Sequence, residues 1–222
     1  MWTRRLDMNR FLFAAVALLL AGCAASPRYR IGDVTEARAL SDHGFALFES
    51  GNYADAKEAL DAVIAYGTIG TVTNYYGRFY SMYGSDPMGL LSWRFLVDEA
   101  GHGVSTDILS HAVDLAHYLV GDAAGPITKL VGTGETYIKQ RPLPTGEGTH
   151  YDRGKPGDPT GEVTNEDYVG MMCVFGNGAR GTFEVCRSVV GPESQNMFEV
   201  YGTKGSIRWN FEKMNEIGRA HV

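Results

Sequence analysis

At Gly67 the spacing of apolar residues changes from that of helices to that of strands, so two unlike parts must fold from one chain. Between residues 36 and 66, Leu40, Gly44, Leu47 and Phe48, then Ala56, Leu60, Val63 and Ile64, recur at helical spacing around a Gly51-Asn52-Tyr53 turn. This pattern predicts a helical hairpin. Beyond Gly67, β-branched and aromatic runs at 69–79, 127–138, 168–175, 181–190, 197–201 and 206–209 read as strands. The glycine turns at 175–178 and 201–205 join strands as hairpins, so most of the sheet should be antiparallel. The predicted class is α+β: an open, mostly antiparallel sheet with a flanking helix, preceded by an N-terminal helical hairpin.

Charge narrows the function. The 222 residues carry a formal net charge of -6 and no long Lys/Arg run. There is thus no basic stripe to displace counterions from phosphates, and nucleic acid is not an expected partner. If Asn177-Gly178 is a two-residue turn, Cys173 opposes Thr182 and Cys186 opposes Val169, which places the sulfurs too far apart for a disulfide. Both cysteines then read as small buried hydrophobes.

The N-terminus reads as an address. Arg4, Arg5 and Arg10 precede an apolar run at 11–20 that leads into Ala21-Gly22-Cys23, the order of a secretory signal. The run is too short to cross a hydrocarbon core of ~30 Å. Leu20-Ala21-Gly22-Cys23 resembles the lipobox of bacterial lipoproteins. That resemblance implies a signal over 1–23, lipidation of Cys23, an envelope location and membrane contact only through the lipid.

The string Gly176-Asn-Gly-Ala-Arg-Gly181 fits the glycine pattern of a dinucleotide site, but a strand follows it where a helix N-terminus is needed to bind a pyrophosphate. It is therefore read as a hairpin turn.

Residues 101–121 carry the chemistry. Ser105 or Thr106 can cap a helix that Gly121 ends, with Ile108, Ala112, Leu115, Ala116 and Leu119 as its buried stripe. Asp107, His111 and Asp114 then line a neighbouring stripe. A carboxylate one turn from an imidazole suits acid–base work, with Asp107 orienting His111 so that it accepts a proton near neutral pH. The same spacing also describes an ordinary surface Asp–His pair. Residues 140–165 are rich in Gly and Pro without a period, and read as a long loop, either a lid or a surface insertion.

Two resemblances extend these readings. Gly44, Leu47, Gly51, Tyr53, Ala56 and Leu60 resemble one tetratricopeptide repeat, assigned to 24–67, although a single repeat cannot bury its own apolar face. Ile69-Gly-Thr-Val72, Gly77-Arg-Phe79, Leu91-Ser-Trp-Arg94, the helix string from Gly103 to Gly121, and Gly202-Thr-Lys-Gly-Ser206 together resemble the C-terminal domain of the glucose–fructose oxidoreductase / inositol dehydrogenase (Gfo/Idh/MocA) family.

The second resemblance implies a substrate domain over 68–214 of an NAD- or NADP-dependent sugar or polyol oxidoreductase. In that family the sheet mediates oligomerisation, the enzymes are cytoplasmic, and the cofactor sits in a separate Rossmann half. Carried onto this chain, it makes Asp107 and His111 the catalytic pair, with His111 the proton acceptor. It places Trp93, Arg94 and Asp114 by the substrate, with Tyr151 and Arg153 as polar contacts from the loop.

The chain departs from the family before Ile69, where neither a Glu-Lys-Pro motif nor a strand-to-helix glycine fingerprint occurs. The chain alone is therefore expected neither to bind NAD(P) nor to turn over substrate. The abrupt join near residues 66–67 and the tail Glu216-Ile-Gly-Arg-Ala-His-Val222, which resembles a translated sequencing adaptor, lead to a further expectation. Residues 215–222 read as non-native, and the domain as truncated in a chimeric gene. The competing reading is an exported lipoprotein that binds proteins through its repeat.

Overall fold

The computed structural model describes residues 69–146 and 148–213. The expectations for the signal 1–23, lipidated Cys23, the repeat at 24–67 and the tail at 215–222 lie outside the described residues.

Within them the chain forms β1 (Val72–Ser81), a 3-10 turn (Trp93–Phe95), α1 (Val97–Ala100), α2 (Ile108–Ala124), β2 (Ile127–Glu135), β3 (Gln140–Pro142), β4 (Thr160–Glu162), β5 (Tyr168–Phe175), β6 (Arg180–Cys186), β7 (Ser194–Gly202), β8 (Ser206–Asn210) and a closing 3-10 turn (Phe211–Lys213). Six strands make one sheet in the order β2-β5-β6-β1-β7-β8. Every neighbouring pair is antiparallel except β1 with β6. The expected α+β class with an open, mostly antiparallel sheet and a flanking helix is what the chain forms. No helix among the described residues is long and apolar enough to cross a membrane.

One face of the sheet packs against α2. Tyr75 of β1 lies opposite Gly181 of β6, and Gly77 lies opposite Phe183. Each aromatic ring thus meets a glycine on the next strand. A Cβ on Gly77 would sit 2.9 Å from the Phe183 ring, and one on Gly181 would sit 2.4 Å from Cys173 Sγ. Two rings therefore share the centre of the core, Tyr75 and Phe183 with centroids 5.5 Å apart, because the facing positions have no side chain.

Over them lie Ile108, Ala112, Ala116, Leu119, Val120 and Ala124 of α2, all buried, while Leu115 is only half-buried. The helix runs past Gly121, which has ordinary helical geometry and room around it. Gly125 ends it instead, with φ 75° and its N–H on the Gly121 carbonyl at 2.8 Å. Pro126 follows, which cannot continue the helix.

The β5–β6 turn corrects the expected register by one residue. Gly178 N–H donates to the Phe175 carbonyl at 2.9 Å and Phe175 N–H to the Ala179 carbonyl at 2.9 Å, which leaves a three-residue loop with Gly178 at φ 90°. Asn177 Oδ1 accepts from the Ala179 N–H at 2.8 Å and stabilises that loop. Cys173 consequently opposes Gly181, and Cys186 opposes Tyr168. The sulfurs stay apart, and both cysteines are buried and free.

The stretch at 140–165 is not structureless. Strands β3 and β4 pair antiparallel and pin its two ends. Arg141, 1% exposed, donates to the carbonyls of Asp86 at 2.7 Å and Gly84 at 2.5 Å. The loop between the strands is held to residues 88–90 by Leu90 N–H on the Asp152 carbonyl at 2.9 Å and Gly154 N–H on the Met88 carbonyl at 2.9 Å.

Candidate functional site

The site forms where the C-terminal end of β1 meets the start of α2. The approach to α2 is fixed by Gly103, where a Cβ would fall 2.2 Å from the Glu166 carbonyl oxygen, so only glycine fits. Val104 N–H donates to that same carbonyl at 3.2 Å, and both the N–H and the hydroxyl of Ser105 donate to Glu166 Oε1. Burial raises the Glu166 pKa, but the bonds from Ser105 outweigh it and hold the carboxyl below its usual range. Thr106 donates its hydroxyl to the His102 carbonyl at 2.7 Å. Neither Ser105 nor Thr106 caps the helix, contrary to expectation, because tertiary and local partners take both side chains. Asp107 occupies the cap position, with no capping bond from its side chain.

The Asp107 carboxylate points elsewhere. Its Oδ2 accepts the Tyr83 hydroxyl at 3.0 Å and Arg94 Nη1 at 3.2 Å. Burial, then the nearby Asp107 charge, push the Tyr83 pKa up, so the hydroxyl stays protonated and donates. His111, one turn along, makes no hydrogen bond to Asp107 and rests against Phe79, ring centroids 6.1 Å apart. The expected Asp107–His111 contact is thus replaced by Tyr83 and Arg94, which orient the carboxylate while the imidazole stays open to the cleft.

Arg94 is set by a buried network at its own backbone. Its carbonyl accepts from Asn165 Nδ2 at 3.1 Å and from Arg187 Nη1 at 3.0 Å. Arg187 is 1% exposed and paired with fully buried Asp167, Nε to Oδ1 at 2.7 Å. The other Asp167 oxygen accepts the N–H groups of Tyr137 at 2.8 Å and Ile138 at 3.0 Å. The pair is therefore fully hydrogen-bonded where burial would otherwise penalise both charges. The guanidinium groups of Arg187 and Arg141 also lie over the Phe95 ring, at 4.6 Å and 4.0 Å from its centroid.

Two clefts share the Arg94–Asp107 pair. One, of about 200 Å³, is lined by residues that include Tyr83, Arg94, Asp107, His111, His150 and Tyr151. The other, of about 300 Å³, includes Trp93, His102, Thr106 and Arg187 beside Arg94 and Asp107. The structure thus gathers Asp107, His111, Arg94 and Tyr151 in one cleft and puts Trp93 in its neighbour. Asp114 is exposed and lines neither. Arg153 pairs with Asp86 at 2.6 Å and also lines neither.

Tyr83 and His150 were not among the expected site residues. Tyr83 gives no local signal, since its partner lies on a separate element, whereas His150 adjoins Tyr151 in the loop already singled out. Burial, then the charges of Arg94 and Arg141, hold the His150 pKa below the ordinary histidine value.

The segment Gly176–Gly181 forms the tight β5–β6 hairpin, and a strand follows it, so it builds no pyrophosphate cradle. The N–H groups at the start of α2 are occupied as well: Asp107 donates to the Gly103 carbonyl, and Ile108 and Leu109 to that of Val104. An acidic residue stands at that helix start. Neither the Gly176–Gly181 hairpin nor the start of α2 therefore offers a pyrophosphate cradle. No group of three or more His, Cys, Asp or Glu among the described residues could hold a metal ion.

An open sheet covered by one helix, with a carboxylate and an imidazole lining one cleft, defines an α+β domain. The chain belongs to the Gfo/Idh/MocA family: residues 57–208 match the model of the GFO/IDH/MocA C-terminal domain. The match begins ahead of the boundary expected at residue 68.

The chain is 36% identical over 152 residues to a levoglucosan dehydrogenase of Pseudarthrobacter phenanthrenivorans, covering 68% of this chain and 38% of the relative. Among solved structures it resembles levoglucosan dehydrogenase in complex with NADH and L-sorbose, with TM-score 0.62 and 34% identity over 73% of this chain and 39% of that one. An oxidoreductase domain protein from Kribbella flavida gives TM-score 0.63 and 28% identity, covering 85% of this chain and 53% of that one. The chain thus spans less than two fifths of the length of the curated relative.

Proposed function

We propose that residues 69–213 are the substrate-binding domain of an NAD- or NADP-dependent sugar or polyol oxidoreductase. The observation that carries this reading is the placement of Asp107 and His111 in one cleft, with the carboxylate held by Tyr83 and Arg94 and the imidazole left open. A secondary alcohol entering there meets His111 as proton acceptor, since an imidazole nitrogen can accept the hydroxyl proton. Asp107, already charge-paired on Oδ2, offers its other oxygen to a substrate hydroxyl.

Removal of hydride from the same carbon needs a nicotinamide acceptor, which in this reading a separate Rossmann domain supplies, so residues 69–213 alone are not expected to turn over substrate. In the same reading, the solvent face of the sheet, where Tyr76, Met172, Val131 and Tyr201 are exposed, is the surface on which copies associate.

The sugars of the solved relatives supply the probes for a test. Levoglucosan and L-sorbose are titrated against the 222-residue chain, followed by calorimetry and by the NMR signals of its histidines. Saturable binding that Asp107→Asn and His111→Gln weaken supports the reading; binding unaffected by either substitution sinks it. Reduction of NAD(P) by the purified chain with either sugar would overturn the claim that it is not self-sufficient.

A further inference from the structure

We infer that His150 is a second substrate-binding histidine, which takes a hydroxyl of the same sugar ring whose carbinol faces His111. The inference rests on the proposed function and adds to it the residue that selects the substrate.

The geometry is built rather than incidental. His150 and Tyr151 sit in a tight turn, closed by Asp152 N–H on the Thr149 carbonyl at 3.0 Å and by Thr149 N–H on Asp152 Oδ2 at 2.7 Å. Those bonds hold the Asp152 carboxyl below its usual range, so the clamp stays intact at neutral pH. The bond from Leu90 N–H to the Asp152 carbonyl ties the turn to the body of the domain.

Rings fix the imidazole within the turn. Its centroid is 4.0 Å from that of Tyr151, 5.4 Å from Tyr83 edge-on, and 6.4 Å from Phe95. Tyr83 is the same residue that donates to Asp107, so His150 is positioned against the group that orients the carboxylate. The imidazole lines the cleft that holds Asp107 and His111. It makes no hydrogen bond to any described residue, although it is half-buried and surrounded by aromatic rings.

Burial, then the charges of Arg94 and Arg141, favour the neutral ring, and Asp107 opposes them. A neutral imidazole offers one donor and one acceptor. That matches a sugar hydroxyl, which is both. Tyr151, 74% exposed and packed at a tilt against His150, forms the outer wall against which the ring of a sugar can lie.

The test uses the full chain with levoglucosan as probe, the His111 and His150 ring signals being followed by NMR, and His150→Phe and His150→Gln compared with the unmodified protein. Both histidine signals should shift along the same binding curve. His150→Phe, which keeps a ring but loses the hydrogen bonds, should weaken binding about tenfold. His150→Gln, which keeps a donor and an acceptor, should recover part of that loss. If His111 shifts while His150 does not, or if His150→Phe binds levoglucosan as tightly as the unmodified chain, this inference fails and the proposed function stands. If neither histidine responds, both fail.

Discussion

Arg94 and Tyr83 meet on one oxygen of Asp107: Nη1 of Arg94 lies 3.2 Å from Oδ2, and the Tyr83 hydroxyl lies 3.0 Å from the same atom. Asp107 begins α2, Arg94 belongs to the 3-10 turn and Tyr83 follows β1, so the carboxylate ties three elements at the mouth of the cleft. It is consequently aimed before any ligand arrives.

Removing either donor should free the carboxylate without unfolding the domain, since the Arg94 and Asp107 side chains are 34% and 41% exposed and such pairs add little stability. Tyr83→Phe is expected to weaken sugar binding several-fold, and Asp107→Asn about tenfold, with the urea midpoint nearly unchanged. Calorimetry paired with denaturation separates the two effects. A large fall in midpoint in Tyr83→Phe would show that the contact is structural.

The buried Arg187–Asp167 pair should behave in the opposite way. Arg187→Met leaves Asp167 charged and unpaired in the interior and is expected to cost about 3–5 kcal/mol, read from chemical denaturation. The double variant Arg187→Met, Asp167→Leu should recover part of that loss. Additive losses in the double variant would contradict the view that the two charges answer each other.

Gly103→Ala drives a methyl group into the Glu166 carbonyl oxygen, which is backbone and cannot swing aside. A loss of about 1–3 kcal/mol is expected, together with weaker sugar binding because Asp107 lies four residues along the same turn. Gly101→Ala is a useful contrast. Its added Cβ meets nothing within 4 Å, so its cost should come from φ 71° alone.

Stability should decline on the acid side of neutrality. Folding lowers the His150 pKa, so the unfolded chain takes up the proton more readily. The resulting stability is present above the ordinary histidine value, about 6.5, and is lost as pH falls through the folded value. The groups around the ring are Arg94, Arg141 and Arg187, which oppose its charge, and Asp107, which favours it. His150→Phe should flatten that part of the curve, as measured by urea midpoints across the window. An unchanged slope would mean that another group titrates there.

Much of the architecture was legible because it depends on local pattern. Local runs of β-branched and aromatic residues marked all six strands of the main sheet, because such patterns are visible among near neighbours. The helix bearing Asp107 and His111 was visible for the same reason, and the following strand was enough to identify Gly176–Gly181 as a turn. Strands β3 and β4 were missed because they are short and lie in a Gly- and Pro-rich stretch without a period. They are held by Arg141 bonding to carbonyls of a segment far away in sequence.

By itself, then, the sequence determined the class of fold, the strands of the main sheet, the helix and the placing of Asp107 and His111 one turn apart on it, because propensity and periodicity act between near neighbours. Only the tertiary structure decided what those residues touch. It gave Asp107 to Tyr83 and Arg94 rather than to His111, ended α2 at Gly125, moved the β5–β6 register by one residue, and brought His150 over the cleft. Each of those outcomes turns on a contact between segments whose meeting is set by packing and by the need to pair buried polar groups, and neither leaves a mark in the local order of residues.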